Sequence, residues 1–266
     1  MNILLPTIMS LRNMIAEMNR KHLDLKRISK TASLLLLSGL SRNSIPPAII
    51  QRCLKEQQQD GGWVSIADTA WNAYFLKLLD PLQYKENIEK ALHYIISRQN
   101  DTGLWGRSKR DVSRIPVTAV LFFLFPEMAD SETLHRLEKL WLSEKNSLTY
   151  KAGYTLMAFK AAGFQPLDKF LTADAARWLM DNRQEDGGFA PWKDHPVSSD
   201  VFCTSIATLG LLQYKEAVPE AVFRQAYHWL VENRLPGGIW PYHEIEDGAS
   251  WGLYALTQLT GAGLDE

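Results

Sequence analysis

Three acidic residues fall within four positions near the end of this 266-residue chain, Glu244-Ile245-Glu246-Asp247. Carboxyl groups this close can hold and pass a proton, because neighbouring negative charge and burial keep one of them neutral. The same string also reads as a solvated acidic loop ahead of a helix, with Asp247 as its N-cap. A basic counterpart, Arg107, Lys109, Arg110 and Arg114, precedes Pro116. Guanidinium groups grip phosphate oxygens two at a time, and a helix starting at Pro116 adds its own attraction for an anion. Arg107 and Lys109 read equally well as an exposed loop kept in water by charge. A third group is aromatic: Trp71, Tyr74, Phe75, Phe122, Phe123, Tyr150, Tyr154 and Trp251 lie in apolar stretches. Their faces attract cations, although each taken singly also reads as core packing.

The elements that must position these groups are legible from a repeat. A phrase recurs as QQDGGW at Gln58–Trp63, QNDTGLW at Gln99–Trp105, RQEDGGF at Arg183–Phe189 and RLPGGIW at Arg234–Trp240. Trp63 and Trp105 are 42 residues apart, Trp105 and Phe189 are 84, and Phe189 and Trp240 are 51. A fixed period of this size signals stacked supersecondary units. A degenerate copy falls at Asn146–Thr149, where Glu144, Lys145, Asn146, Ser147 and Leu148 replace the glycines.

Within a unit the apolar period is helical; Ile88, Ala91, Leu92, Ile95 and Ile96 form one stripe. Amphipathic stretches alternate with wholly apolar ones, which predicts an outer and an inner layer. Outer helices are expected at about 5–20, 46–58, 84–98, 131–145, 168–183 and 218–234. Inner helices are expected at about 24–40, 66–80, 114–127, 149–163, 198–213 and 247–262. Pro46, Pro116 and Pro219 sit where helices begin. Six plus six helices is the number that closes an (α/α)6 barrel, so the expectation is one all-α domain over residues 1–266.

Composition bounds the function. With 46% hydrophobic and 22% charged residues and a net charge of −1, the chain has a full core and no general pull toward nucleic acid. Two cysteines, Cys53 and Cys203, suit a reduced compartment and give no disulfide framework. No apolar run approaches the ~20 residues of a membrane span. Residues 1–11 lack a basic leader region, so a cytoplasmic location is expected, with peripheral membrane contact left open. Nine tryptophans are the unusual number.

Lys90-Ala91-Leu92-His93-Tyr94-Ile95, followed by Gln99, Gly103 and Trp105, resembles the QW motif of triterpene cyclases. Ala175, Trp178, Leu179, Arg183, Gly187 and Phe189 repeat the spacing, as do Ala226, Trp229, Leu230, Arg234, Gly238 and Trp240. The resemblance covers about residues 46–262. It implies the terpenoid cyclase and protein prenyltransferase superfamily, whose (α/α)6 barrel binds isoprenoid chains in an aromatic interior. The motif itself reads as scaffold. Glycine permits the tight turn, the indole caps it against the preceding helix, and Gln or Arg can bond free helix-terminal carbonyls.

Function is expected where the inner helices begin, since those ends converge at one mouth. Aligned on a T-A step, the repeats give four-residue slots: Ser65–Asp68, Arg114–Val117, Asp200–Cys203 and Glu244–Asp247. In class II cyclases the corresponding slot carries D-x-D-D, whose central acid protonates an alkene or epoxide. Glu244-Ile245-Glu246-Asp247 is E-x-E-D in that register. The resemblance therefore implies Glu246 as proton donor with Glu244, Asp247 and Asp200 as supporting acids. It also implies Arg114, Arg110, Asp68, Trp71, Tyr154 and Trp251 as ligand contacts, with Mg²⁺ entering only alongside a diphosphate substrate. Prenyltransferases instead imply zinc on Cys203 and Asp200, with Asp247 in the histidine position and His195 or His243 nearby. Zinc holds such an acid-rich set poorly, and a lone cysteine on an apolar helix reads as core, so no metal is expected. Two further readings stay open: an isoprenoid-binding module without chemistry, and a carbohydrate enzyme, for which no carboxylate pair stands out.

Overall fold

The computed structural model describes residues 3–145 and 147–265. Among these residues twelve α-helices alternate between two layers. The outer ones are α1 (Leu5–Arg20), α3 (Pro47–Glu56), α5 (Lys85–Ser97), α7 (Ser131–Glu144), α9 (Leu171–Asp181) and α11 (Glu220–Glu232). The inner ones are α2 (Leu25–Leu37), α4 (Ile66–Leu79), α6 (Ile115–Leu124), α8 (Thr149–Ala161), α10 (Val201–Leu212) and α12 (Ile245–Gly261). No strand occurs among the described residues. The inner helices pack in order around a ring that α12 closes against α2, with the α4–α6 seam the thinnest. This is the barrel the repeat predicts.

Local chemistry sets the helix starts. Asp24, Ser65 and Asp200 accept backbone N–H groups at the starts of α2, α4 and α10, and Asp130 forms a capping box with Thr133 on α7. Pro46 and Pro219 precede α3 and α11 directly, and Pro116 lies in the first turn of α6. The inner helices α4, α6, α8 and α10 are largely apolar all round because they face both the barrel axis and the outer layer, whereas α2, expected to be apolar, is amphipathic and carries Lys26, Arg27 and Lys30. Gly153 and Gly210 bring α8 and α10 together: a Cβ on Gly210 would stand 2.6 Å from the Gly153 Cα. The degenerate turn includes Asn146, which lies outside the described residues; Leu148 leads straight into α8.

The glycine phrases are wall fittings. The indole N–H of Trp63, Trp105 and Trp240 donates to the carbonyl ten residues earlier, on Cys53, Ile95 and Leu230, at 3.1, 2.7 and 2.8 Å. Each bond ties the turn to the last part of the preceding outer helix. The amides behave differently from expectation. Gln99 donates to the turn carbonyl of Gly103 at 3.0 Å, and the equivalent residue in the first repeat is Gln57, which donates to Gly61 at 2.9 Å. Arg234 does reach a helix-end carbonyl, that of Val231, and also ties down Ile3. The threonine of the T-A step is a strut. Thr69, Thr118 and Thr204 accept the backbone N–H of Trp63, Trp105 and Phe189 at 2.9, 3.2 and 2.9 Å.

Candidate active site at the barrel mouth

The slots are the first turns of the inner helices rather than loops ahead of them. Ile245, Glu246 and Asp247 already belong to α12, and the N-cap is Glu244, so Asp247 is not the cap. Three acidic side chains at a helix N-terminus complement its partial positive charge. Two cavities open here, both lined from the first two turns of inner helices. One, about 200 Å³, is apolar and aromatic, walled by Ile66, Val117, Val120, Tyr150, Tyr154 and Phe202. The other, about 210 Å³, is charged, walled by Lys26, Arg27, Glu244, Glu246 and Asp247. They share Lys30, Ala67 and Trp71. Each alone is smaller than the ~300–1,000 Å³ usual for small-molecule sites, and only the two together come into that range.

The acidic turn is met by cations from α2. Arg27 donates to the Glu246 carboxylate, which is 5% exposed, and its Nε stands 3.9 Å from Glu244 Oε1. That hydrogen bond raises the Arg27 pKa above the ordinary arginine value. Lys30 Nζ lies 2.6 Å from Asp247 Oδ1, an ion pair without the alignment of a hydrogen bond. Sequence reasoning missed Arg27 and Lys30. The available signal was a pair of cations three residues apart on a helix whose neighbours, Leu25, Ile28, Ala32 and Leu35, are core.

Trp71 and Tyr154 line the apolar chamber. Trp251 lines neither cavity; it stands fully buried behind them, edge-on to Trp71 and Tyr154 at 6.0 Å in each case. The series continues from Tyr154 to Phe202, which stacks on Tyr242 at 5.8 Å. Burial pushes the Tyr154 phenol well above its ordinary value, and the charge of Asp247 adds to it. Asp247 and Glu246 both line the charged chamber, and Asp247 is ion-paired there to Lys30, which lines both chambers.

The remaining expected site residues are placed elsewhere. Arg114 is tied to Asp111 at 2.8 Å, Arg110 is exposed, and neither lines a cavity, because their loop turns its charges toward water and toward itself. Asp68 is bonded to Ser65 at the start of α4, and Asp200 caps α10 by accepting from the Cys203 N–H at 2.8 Å. Cys203 is buried, which pushes its thiol up and away from the thiolate a metal needs. His243 packs on Tyr242 and borders a different groove. The zinc set therefore does not assemble, and no group of three metal-ligating side chains comes together among the described residues. Among those residues no helix is long and apolar enough to cross a membrane.

No protein-family model and no curated protein matches the chain. Solved structures do. A variant of the type II terpene cyclase MstE from Scytonema, in complex with its substrate geranylgeranyl dihydroxybenzoate, matches over 98% of this chain and 99% of its own, with TM-score 0.70 and 14% identity. Ligand-free MstE matches over 96% and 98%, with TM-score 0.69 and 14% identity. A protein from Actinoplanes matches over 89% and 90%, with TM-score 0.71 and 16% identity. The chain has the terpenoid cyclase-like fold.

Proposed function

We propose that this chain is a type II terpene cyclase-like enzyme that folds an isoprenoid chain in the apolar chamber and starts ring closure by proton transfer from the acidic first turn of α12. The observation that carries the reading is the junction of an acidic turn with an aromatic cavity at the mouth of a barrel with this fold. A terminal alkene is a very weak base, so the donor must be a neutral carboxylic acid, and the cation formed must meet aromatic faces instead of water.

We take Asp247 over Glu246 as that donor, because its ion-pair partner Lys30 stands in the wall the two chambers share. Glu246 is held by Arg27 on the far side of the wall, which suits it to orient the turn. Asp247 is ion-paired to Lys30. Entry of hydrocarbon that moves Lys30 aside leaves this carboxylate without that counter-ion, and loss of a neighbouring positive charge favours the neutral acid. Trp71 and Tyr154 then flank the developing cation, and the charged chamber receives a polar head group.

Incubation with C15 and C20 prenyl substrates, followed by product analysis, tests the reading. Asp247→Asn should lose activity by about 10²-fold or more, since general acids contribute 10²–10⁴-fold. Glu246→Gln should lose less. No product from wild type, or undiminished product from Asp247→Asn, overturns the proposal. A raised unfolding temperature with isoprenoids but no turnover would instead identify a binding module.

A further inference from the structure

The wall between the two chambers carries a charge of its own. Lys30 Nζ stands 5.4 Å from the ring centre of Trp71 and 5.6 Å from that of Trp251. Those two rings meet edge to face, and Asp247 Oδ1 lies on the ammonium at 2.6 Å. Two aromatic faces and a carboxylate satisfy a cation withdrawn from water, and the Lys30 side chain is only 15% exposed. The indole N–H of Trp251 has no hydrogen-bond partner among the described residues, so this ring's one polar contact there is with Lys30.

We infer that Lys30 is a resident cation that fills an aromatic–carboxylate box at the barrel mouth and limits the length of apolar ligand the apolar chamber admits. That chamber by itself is small, and Lys30, Ala67 and Trp71 form the wall it shares with the charged chamber. A positive charge developing beside Trp71 would also meet the ammonium at close range, so Lys30 must leave the box before that charge forms. Lys30 is a positioning residue, acting through Asp247 and Trp71. The length limit rests on the isoprenoid reading above; the cation box does not.

Two measurements separate these. In the first, tryptophan fluorescence follows binding of geraniol, farnesol and geranylgeraniol to wild type and Lys30→Met. The variant should improve the affinity for geranylgeraniol relative to geraniol by about tenfold or more, because further isoprene units become buried. An unchanged ratio overturns the length limit, and no binding to either protein removes the isoprenoid reading itself. In the second, ethylammonium is titrated into wild type, Lys30→Ala and Lys30→Ser. Both variants vacate the box, so a saturable fluorescence change and a raised unfolding temperature should appear in them, be absent from wild type, and vanish when Asp247→Asn is added. No saturable change in a folded variant overturns the cation box.

Discussion

Lys30 and Asp247 meet across the seam where α12 closes against α2, with Nζ 2.6 Å from Oδ1. Residues more than two hundred positions apart in the chain thus complete both the barrel ring and the wall of the candidate site. Each side chain is about one-sixth exposed, so the pair is neither a screened surface contact nor a fully desolvated one.

The first prediction follows from that half-way burial. Lys30→Met or Asp247→Leu alone should destabilise the fold by about 1–3 kcal/mol, less than the ~3–5 kcal/mol of a fully buried pair because water screens both groups. The double variant should recover most of the loss, since no charge is left without a partner. Denaturant unfolding of the four proteins of the cycle measures the coupling, and strict additivity would contradict the pairing.

Asp111 offers a pH test of the basic loop. The Arg114 guanidinium beside it, together with the Arg107 N–H, holds its carboxyl down to about 2. A folded-state value below the unfolded one means stability that is present above the ordinary aspartate range and lost as pH falls toward 2. Arg114→Ala should return the Asp111 titration, followed by NMR, toward the ordinary range. Isoprenoid binding should stay unchanged, because Arg114 lines neither chamber.

At high pH the sign reverses. Burial raises Tyr74 and Tyr214 to about 12 and also pushes Tyr154 and Tyr242 well above the ordinary phenol value. The unfolded chain gives up these protons near pH 10, so the stability they contribute is complete below that and falls as pH rises toward 12. Tyrosinate absorbance should show these four phenols, Tyr154 buried and the other three half-buried, ionising only together with loss of helical circular dichroism. Four early titrations in the folded state would contradict this burial.

The turn fittings should be expensive to change. Trp105 is 1% exposed and bonded to Ile95, so Trp105→Ala should cost about 3–5 kcal/mol, and Trp105→Phe only about 1 kcal/mol for the lost hydrogen bond, since the Ile95 carbonyl keeps the Arg98 N–H at 3.0 Å. Gly61 has φ +88°, and a Cβ there would stand 2.4 Å from the Lys90 carbonyl oxygen. Gly163 also has positive φ, at +63°, but open space around it. Gly163→Ala should cost only the left-handed backbone penalty of about 1–2 kcal/mol, and Gly61→Ala clearly more. Thermal unfolding of the pair separates conformation from contact.

Periodicity carried the architecture because helical spacing and turn glycines are local properties. The 42-residue interval, the apolar stripes and the helix-start prolines specified twelve helices in two layers. The slot register placed Glu246, Asp247, Trp71 and Tyr154 at one mouth, since residues at equal phase of a closing repeat converge on one end. Partnership is not local. That Arg27 and Lys30 neutralise the acidic turn, and that Lys30 stands in the wall between the two chambers, depend on which helices abut and on side-chain directions across them. Trp251 shows the division most simply: its spacing put it on an inner helix, but only the packing of Trp71, Tyr154 and Lys30 against it decided that it stands behind the cavity wall.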